Sequence, residues 1–193
     1  PQSMDPHRKF FLENGWNCQT AAGEKAAWEI DYSDVKLIYI EPYRTYFKKD
    51  FWQTKIAPAV KNGATLVFRS YHWLGMLGKD FGDKTFAVVS KENSHKIRKP
   101  TFIDPEFAKS GHDLNRYYKS CGTVTFIPKY PEKWTVLMTQ LTKNNKQGAS
   151  VIARRFGKGK IFIMAQIRGT IGIIENGTWM PLAGKVIRKM LEP

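Results

Sequence analysis

The sequence is poor in cysteine, in acidic residues and in long apolar runs. Its 193 residues include two cysteines, Cys18 and Cys121, which are far apart and form no C-x-x-C pair. This spacing predicts neither a disulfide framework nor a zinc site. No apolar run approaches the ~20 residues that span a bilayer, so no membrane partner is expected. The compartment stays open: the chain begins at Pro1, and secretion or export to the periplasm is compatible with a removed N-terminal signal.

The shortage of acidic residues gives the chain a strong positive charge. Seventeen Asp and Glu face thirty-one Lys and Arg, for a net charge of +14. Such a field attracts polyanions. The excess is nevertheless spread from Lys36 to Lys189 and forms no block of five or six like charges. We therefore interpret it as a diffusely basic surface, with a polyanion-binding basic domain as an alternative function. Nucleic acid is a possible but not favoured partner, and the oligomeric state is left open.

Packing residues are plentiful, since 42% of the chain is hydrophobic and 13% aromatic. This composition suits one domain over residues 1–193, either complete or a piece of a longer protein. The apolar patterns predict helices at 5–14, 50–61 and 179–191, strands at 35–40, 64–68, 86–90, 123–127 and 135–138, and a loop or insertion at 91–115. Helices that alternate with buried strands indicate an α/β fold, because parallel strands need crossover connections. We expect a three-layer α/β/α, flavodoxin-like sheet, mostly parallel, with antiparallel additions near the C-terminus.

The segment VIARRFGKGKIFIM, Val151 to Met164, places four cations around a Gly-Lys-Gly sequence. A phosphate-binding loop would lead into a helix, whereas this one leads into an apolar strand. The pattern therefore predicts a tight hairpin, with Gly157 and Gly159 at positive φ. Arg154 and Arg155 occupy adjacent strand positions, so at least one of them lies at the surface or stacks on an aromatic ring.

Three segments in order resemble one known family. They are SDVKLIYIEP, then FWQTKIAPAVKNGATLVF, then ARRFGKGKIFIM. Together they resemble class I glutamine-amidotransferase-like domains, notably the trehalose-utilisation type and the amidotransferase-like domain inside certain beta-galactosidases. The resemblance implies the sheet described above and a site after the strands at 35–40 and 64–68. It covers most of the chain outside 91–115.

The chain departs from this family at the residues that carry catalysis. The family places a cysteine between glycines after the second strand, where this chain has FRSYHW, with Ser70 near that position. The late His-x-Glu pair that the family implies is replaced by Gln166, Ile167 and Arg168. A nucleophile without a base has no useful activation at neutral pH. We therefore expect a non-catalytic domain, serving ligand binding or assembly in a larger, carbohydrate-related protein.

The candidate site residues follow the same two strands, where α/β sheets place ligands. The ligand-binding candidates are Glu41, Tyr43, Arg44, Tyr71, His72 and Trp73. As an alternative, Ser70, His72 and Glu41 form a hydrolase site, with Asp80, Asp83 or Asp113 as further candidates for the acid. The neighbouring Phe51 and Trp52 either join this surface or belong to the core. Scattered histidines without regular spacing predict no metal, and no cofactor is expected.

Overall fold

The computed structural model describes residues 5–13, 15–40, 47–69, 81–94, 101–102, 123–141 and 147–164. The helices are α1 (Asp5–Glu13), α2 (Glu24–Trp28), α3 (Lys49–Phe51) and α4 (Ala57–Asn62), with a π-helical turn (Trp52–Ile56) between α3 and α4. The strands are β1 (Leu37–Ile40), β2 (Thr65–Arg69), β3 (Val88–Ser94), β4 (Thr101–Phe102), β5 (Thr123–Pro128), β6 (Thr135–Leu141), β7 (Gln147–Phe156) and β8 (Gly159–Met164). Short 3-10 turns cover Lys84–Phe86 and Pro131–Lys133.

The described strands form one mixed eight-stranded sheet, so the fold is α/β. β1, β2 and β8 are parallel neighbours, and the remaining pairings are antiparallel. β7 joins the parallel strands to the antiparallel ones, because it pairs with β8 over Val151–Phe156, with β5 at Ala149 and with β6 over Gln147–Ala153. The prediction of a mostly parallel sheet is therefore wrong for the described pairings, two of which are parallel and five antiparallel. A helix-containing connection links β1 to β2, whereas the two-residue turn after β7 can join only antiparallel strands.

The core lies between the sheet and the continuous helical segment from α3 to α4. Strand register puts Ile38, Leu66 and Ile161 on one sheet face, where they join a buried cluster with Trp52 and Val60. Those two helix residues are at most 1% exposed. Because side chains alternate along a strand, the next residues point to the opposite face.

Helix α1 contacts that opposite face. The ring of Phe11 lies 6.0 Å from the ring of Tyr39, which shares its face with Val67 and Phe162 by register. Val67 and Phe162 are both buried. The described helices thus contact both faces of the parallel strands.

Local sequence explains the helix ends. After α1, Gly15 has φ 77° and donates its N–H to the Leu12 carbonyl, and Trp16 donates to the Phe11 carbonyl. This is a Schellman motif, completed by the contact of the Phe11 and Trp16 rings at 5.6 Å. In the second helical segment the Ala57 N–H donates to the Trp52 carbonyl across the π-helical turn. The wide turn precedes Pro58, whose ring would clash with a regular helix and which has no N–H to donate.

Most predicted strands in the described residues are confirmed, and the differences have local causes. The strand predicted at 86–90 begins at Val88, because Phe86 ends a 3-10 turn that the Asp83 side chain caps. β3 continues to Ser94, and β4 lies at 101–102, so the predicted loop at 91–115 contains strand residues at both places. Helix α2 is an element that the sequence patterns did not predict. The predicted helix at 179–191 lies outside the described residues.

Candidate functional site

Three parallel strands end side by side at one edge of the sheet, which we call the carboxyl edge. Ile40 of β1 is in register with Phe68 of β2, and Arg69 of β2 is in register with Met164 of β8. Ligands of α/β proteins bind outside the carboxyl ends of parallel strands, where the loops converge. We therefore expect a ligand site at the carboxyl edge.

The sequence-predicted site residues lie outside the described residues. They fall in the segments 41–46 and 70–80, which begin directly after Ile40 and Arg69. The residues concerned are Glu41, Tyr43, Arg44, Ser70, Tyr71, His72 and Trp73. The two segments follow the adjacent ends of β1 and β2.

The described residues that follow the two segments meet at one point in the core. The described chain resumes at Phe47 and at Phe81, and each of these rings contacts Trp52, at 5.7 Å and 5.8 Å between centroids. Phe47 also stacks on Phe51 at 4.6 Å. Phe51 and Trp52 are each 1% exposed, so they belong to the core and are not a stacking surface for a ligand. The described residues that flank the two predicted site segments are thus neighbours on both sides.

A second constellation, the Arg154 cluster, lies on the core face of β7 and was not predicted as a unit. The Arg154 side chain is 9% exposed, and its guanidinium donates to Thr85 Oγ1 at 2.9 Å and to Asp83 Oδ2 at 3.3 Å. The guanidinium carbon also lies 4.0 Å from the centroid of the Phe86 ring and 5.4 Å from that of Trp134. Charge, hydrogen bonds and aromatic faces together compensate the burial of this cation.

The electrostatics of the Arg154 cluster favour the ionised form of the Asp83 carboxyl. Burial by itself raises the pKa of Asp83, but hydrogen bonds from Thr85 and the nearby Arg154 charge outweigh it, so the pKa lies below its ordinary value. Burial lowers the pKa of Arg154, and Asp83 partly offsets that effect. Asp83 Oδ1 also accepts from the Thr85 N–H at 2.8 Å and the Thr85 hydroxyl at 2.7 Å. Asp83, considered as a triad acid from the sequence, is thus engaged as an ion-pair partner.

The Arg154 cluster ties the 3-10 turn at Lys84–Phe86 to β7. Arg154 and Asp83 are 71 residues apart in sequence, and no local pattern connects them. The alternation of Ile152, Arg154 and Phe156 does place Arg154 on the apolar face, which is a signal that a buried partner is required. The prediction that at least one of the two arginines is exposed or stacked is confirmed, because Arg155 is exposed and Arg154 stacks on Phe86.

The Gly-Lys-Gly sequence is a hairpin turn, as predicted. β7 and β8 pair up to Phe156 and Gly159, which leaves Gly157 and Lys158 as a two-residue loop. Gly157 has φ 64°, but Gly159 does not have a positive φ. A Cβ at Gly159 would lie 2.2 Å from the carbonyl oxygens of Val60 and Ala64, so close packing on α4, not φ, requires this glycine. The prediction for Gly159 is corrected accordingly.

Other kinds of site leave no trace in the part of the chain that the structure describes. There, no three His, Cys, Asp or Glu side chains come together in a group that could hold a metal ion. Nor does any helix within it have the length and apolar character needed to cross a membrane.

The chain matches no known family profile and no curated protein sequence. Similar solved structures include the cytoplasmic protein STM3548 from Salmonella typhimurium, with a TM-score of 0.59 and 14% identity over 97% of this chain and 86% of that one. They also include the GH42 beta-galactosidase Gan42B, with a TM-score of 0.57 and 16% identity over 96% of this chain but 26% of that one. The cytoplasmic protein STM1381 from Salmonella typhimurium LT2 has a TM-score of 0.57 and 11% identity over 96% and 86% of the two chains. At these identities the likeness establishes the fold alone.

Proposed function

We propose that the chain is a non-catalytic domain of the amidotransferase-like type that binds a carbohydrate ligand, or assembles with another domain of the same protein, through its carboxyl edge. The observation that carries this proposal is the likeness to a beta-galactosidase of which the matching part is 26% of the length. A domain of this fold therefore occurs within a larger carbohydrate-active protein. The order of the three family-like sequence segments supports the same assignment.

The packing supports a three-layer arrangement of the amidotransferase-like kind. Helix α4 packs on one face of β1, β2 and β8, and α1 contacts Tyr39 on the other. Parallel strands covered on both faces leave their ends as the natural binding surface. The antiparallel strands β3 to β7 extend the sheet away from that surface.

The residue types that follow the strand ends suit a sugar. Carboxylate and guanidinium groups such as those of Glu41 and Arg44 hydrogen-bond hydroxyls, and aromatic faces such as those of Tyr43 and Trp73 cover the apolar side of a pyranose ring. The two segments follow the ends of adjacent strands, so residues of both can contact one ligand.

Saccharide titration tests the ligand. The purified chain is titrated by NMR with galactose, lactose and trehalose at about 10 mM, which fills even a site with a Kd near 1 mM. We expect saturable binding that weakens at least tenfold in Trp73→Ala, as loss of a stacking ring implies. Tyr130→Ala, in the turn after β5, is the matched control and should bind as the unchanged chain does. An unchanged titration in Trp73→Ala, or no saturable binding of any sugar, would contradict binding at this edge.

A serine-directed fluorophosphonate probe tests the hydrolase alternative built on Ser70, His72 and Glu41. We expect no labelling, because the sequence offers Ser70 no base at a suitable spacing and Asp83 is engaged by Arg154. Labelling that disappears in Ser70→Ala and persists in Ser90→Ala would replace the non-catalytic proposal with a hydrolase.

A further inference from the structure

Five cations gather at the opposite end of the parallel strands from the carboxyl edge. We call them the amino-edge basic patch: Lys36, Lys61, Arg155, Lys158 and Lys160. Lys160 is in register with Arg155 on one side and with Thr65 on the other. The Thr65 N–H donates to the Lys36 carbonyl at 2.9 Å, and the Lys158 N–H donates to the Lys61 carbonyl at 2.9 Å. Backbone contacts therefore bring all five residues to one end of the sheet, and all except the half-buried Lys160 are exposed.

Few carboxylates belong to the segments that build this patch. Residues 57–69 and 147–164 contain no Asp or Glu, and the nearest acidic residue along the chain from Lys36 is Asp34. This local excess of positive charge makes the patch electrostatically suited to a polyanion.

The backbone that carries the patch is closely packed. The turn at Gly157 and Lys158 packs against the end of α4, where a Cβ at Gly157 would lie 2.6 Å from Lys61 Cα. Helix carbonyls near this end already accept hydrogen bonds: Ala59 from the Ala64 N–H, and Lys61 from the Lys158 N–H. The negative end of the helix is therefore capped and opposes an anion less than a free end would.

We propose that the amino-edge basic patch binds the phosphate backbone of nucleic acid without reading its sequence. A single phosphate ion fits less well, because the cations lie along strands and a turn and do not converge on a loop at a helix N-terminus. A membrane surface fits less well too: the described exposed large apolar residues, Leu12 and Ile127, belong to α1 and β5 and not to the patch. Arginine and lysine side chains are the groups that neutralise the phosphates of nucleic acid.

This inference does not rest on the carboxyl-edge proposal. The two surfaces lie at opposite ends of β2 and β8, so a failure of saccharide binding leaves the amino-edge basic patch untouched. A variant of one surface should leave the other surface's ligand bound as before.

Fluorescence anisotropy with a labelled DNA duplex of about 20 base pairs and arbitrary sequence, measured over a series of salt concentrations, tests the proposal. Four or five phosphate contacts give a slope of log K against log salt of about −4. The double variant Arg155→Glu with Lys158→Glu should bind at least tenfold more weakly and lose about two units of slope. Circular dichroism checks that this variant is folded.

The matched control carries the same change in net charge elsewhere. Lys25→Glu with Lys129→Glu alters two exposed lysines, one in α2 and one after β5, and should keep most of the slope. An equal loss in the two double variants would show that total charge, and not the patch, binds DNA. That outcome would overturn the proposal. Binding to heparin or to phosphatidylserine vesicles without binding to the duplex would overturn it as well.

Discussion

Substitution of Gly159 by alanine is the sharpest test of how the β7–β8 hairpin docks on α4. The new Cβ would lie 2.2 Å from two carbonyl oxygens, those of Val60 and Ala64. Both are backbone atoms held in the helix end and the start of β2, so neither can move away by a side-chain rotation. Overpacking in well-ordered cores costs about 1–3 kcal/mol and sometimes more. Because two backbone clashes occur at once, we expect Gly159→Ala to lower the free energy of unfolding by about 3 kcal/mol or more.

Alanine substitutions at three glycines distinguish a steric clash from backbone strain. Gly82 has φ 69° and an open space around its Cβ position, so Gly82→Ala should cost only the backbone strain, about 1 kcal/mol. Gly159→Ala adds the clash without the strain. Gly157→Ala combines φ 64° with a contact of 2.6 Å to Lys61 Cα and should be comparably destabilised.

Urea unfolding followed by tryptophan fluorescence measures the free energies of unfolding. With a denaturant slope of about 2.5 kcal/mol/M, a loss of about 3 kcal/mol lowers the unfolding midpoint by about 1 M. Gly82→Ala should shift it by less than half of that. If Gly159→Ala were as mild as Gly82→Ala, the hairpin would not be docked on α4 in the way described.

Removal of the cation in Arg154→Met should lower the free energy of unfolding by about 2 kcal/mol. This is less than the loss expected for a fully buried ion pair, because Asp83 is partly exposed. A double-mutant cycle with Asp83→Asn measures the coupling energy, and a coupling energy of zero would contradict the ion pair. The pKa of Asp83 is lowered on folding, so its stabilisation is present above an ordinary carboxyl pKa of about 4 and is lost as pH falls through the lower folded value. The stability difference between the unchanged chain and Asp83→Asn should therefore shrink in acid unfolding below about pH 4, and a constant difference would count against it. Burial raises the pKa of Tyr32 to about 12. In an ultraviolet titration, Tyr32→Phe should therefore lack one phenol that ionises near that pH in the unchanged chain. If the missing phenol had an ordinary pKa near 10, Tyr32 would not be shielded from water.

Sequence patterns predicted the elements whose causes are local. The apolar, β-branched runs that became β1 and β2 are short and continuous, as expected of strands buried on both faces. The glycine that ends α1 and the two-residue turn after β7 depend on backbone conformations that neighbouring residues specify. Helix α2 escaped prediction because it is a single short turn region of five residues, too short for a periodic pattern.

Pairing direction and long-range contacts could not be predicted in the same way. The sequence does not say that β7 pairs with both β8 and β5 on one edge, which is why the sheet is less parallel than expected. Nor does it say which of thirty-one cations gather in one place. The candidate residues at 41–46 and 70–80 remain predictions from sequence, and they directly follow the adjacent ends of β1 and β2.

By itself, the sequence determined an α/β chain, the hairpin at Gly157, and the requirement that Arg154 or Arg155 be exposed or stacked. Each follows from periodicity or from the conformational range of one or two residues. The tertiary structure alone decided that Arg154 is the less exposed of the two arginines, that Asp83 is its partner, and that Gly159 is a packing glycine. These outcomes depend on atoms brought together from distant parts of the chain, and no local pattern encodes such distances.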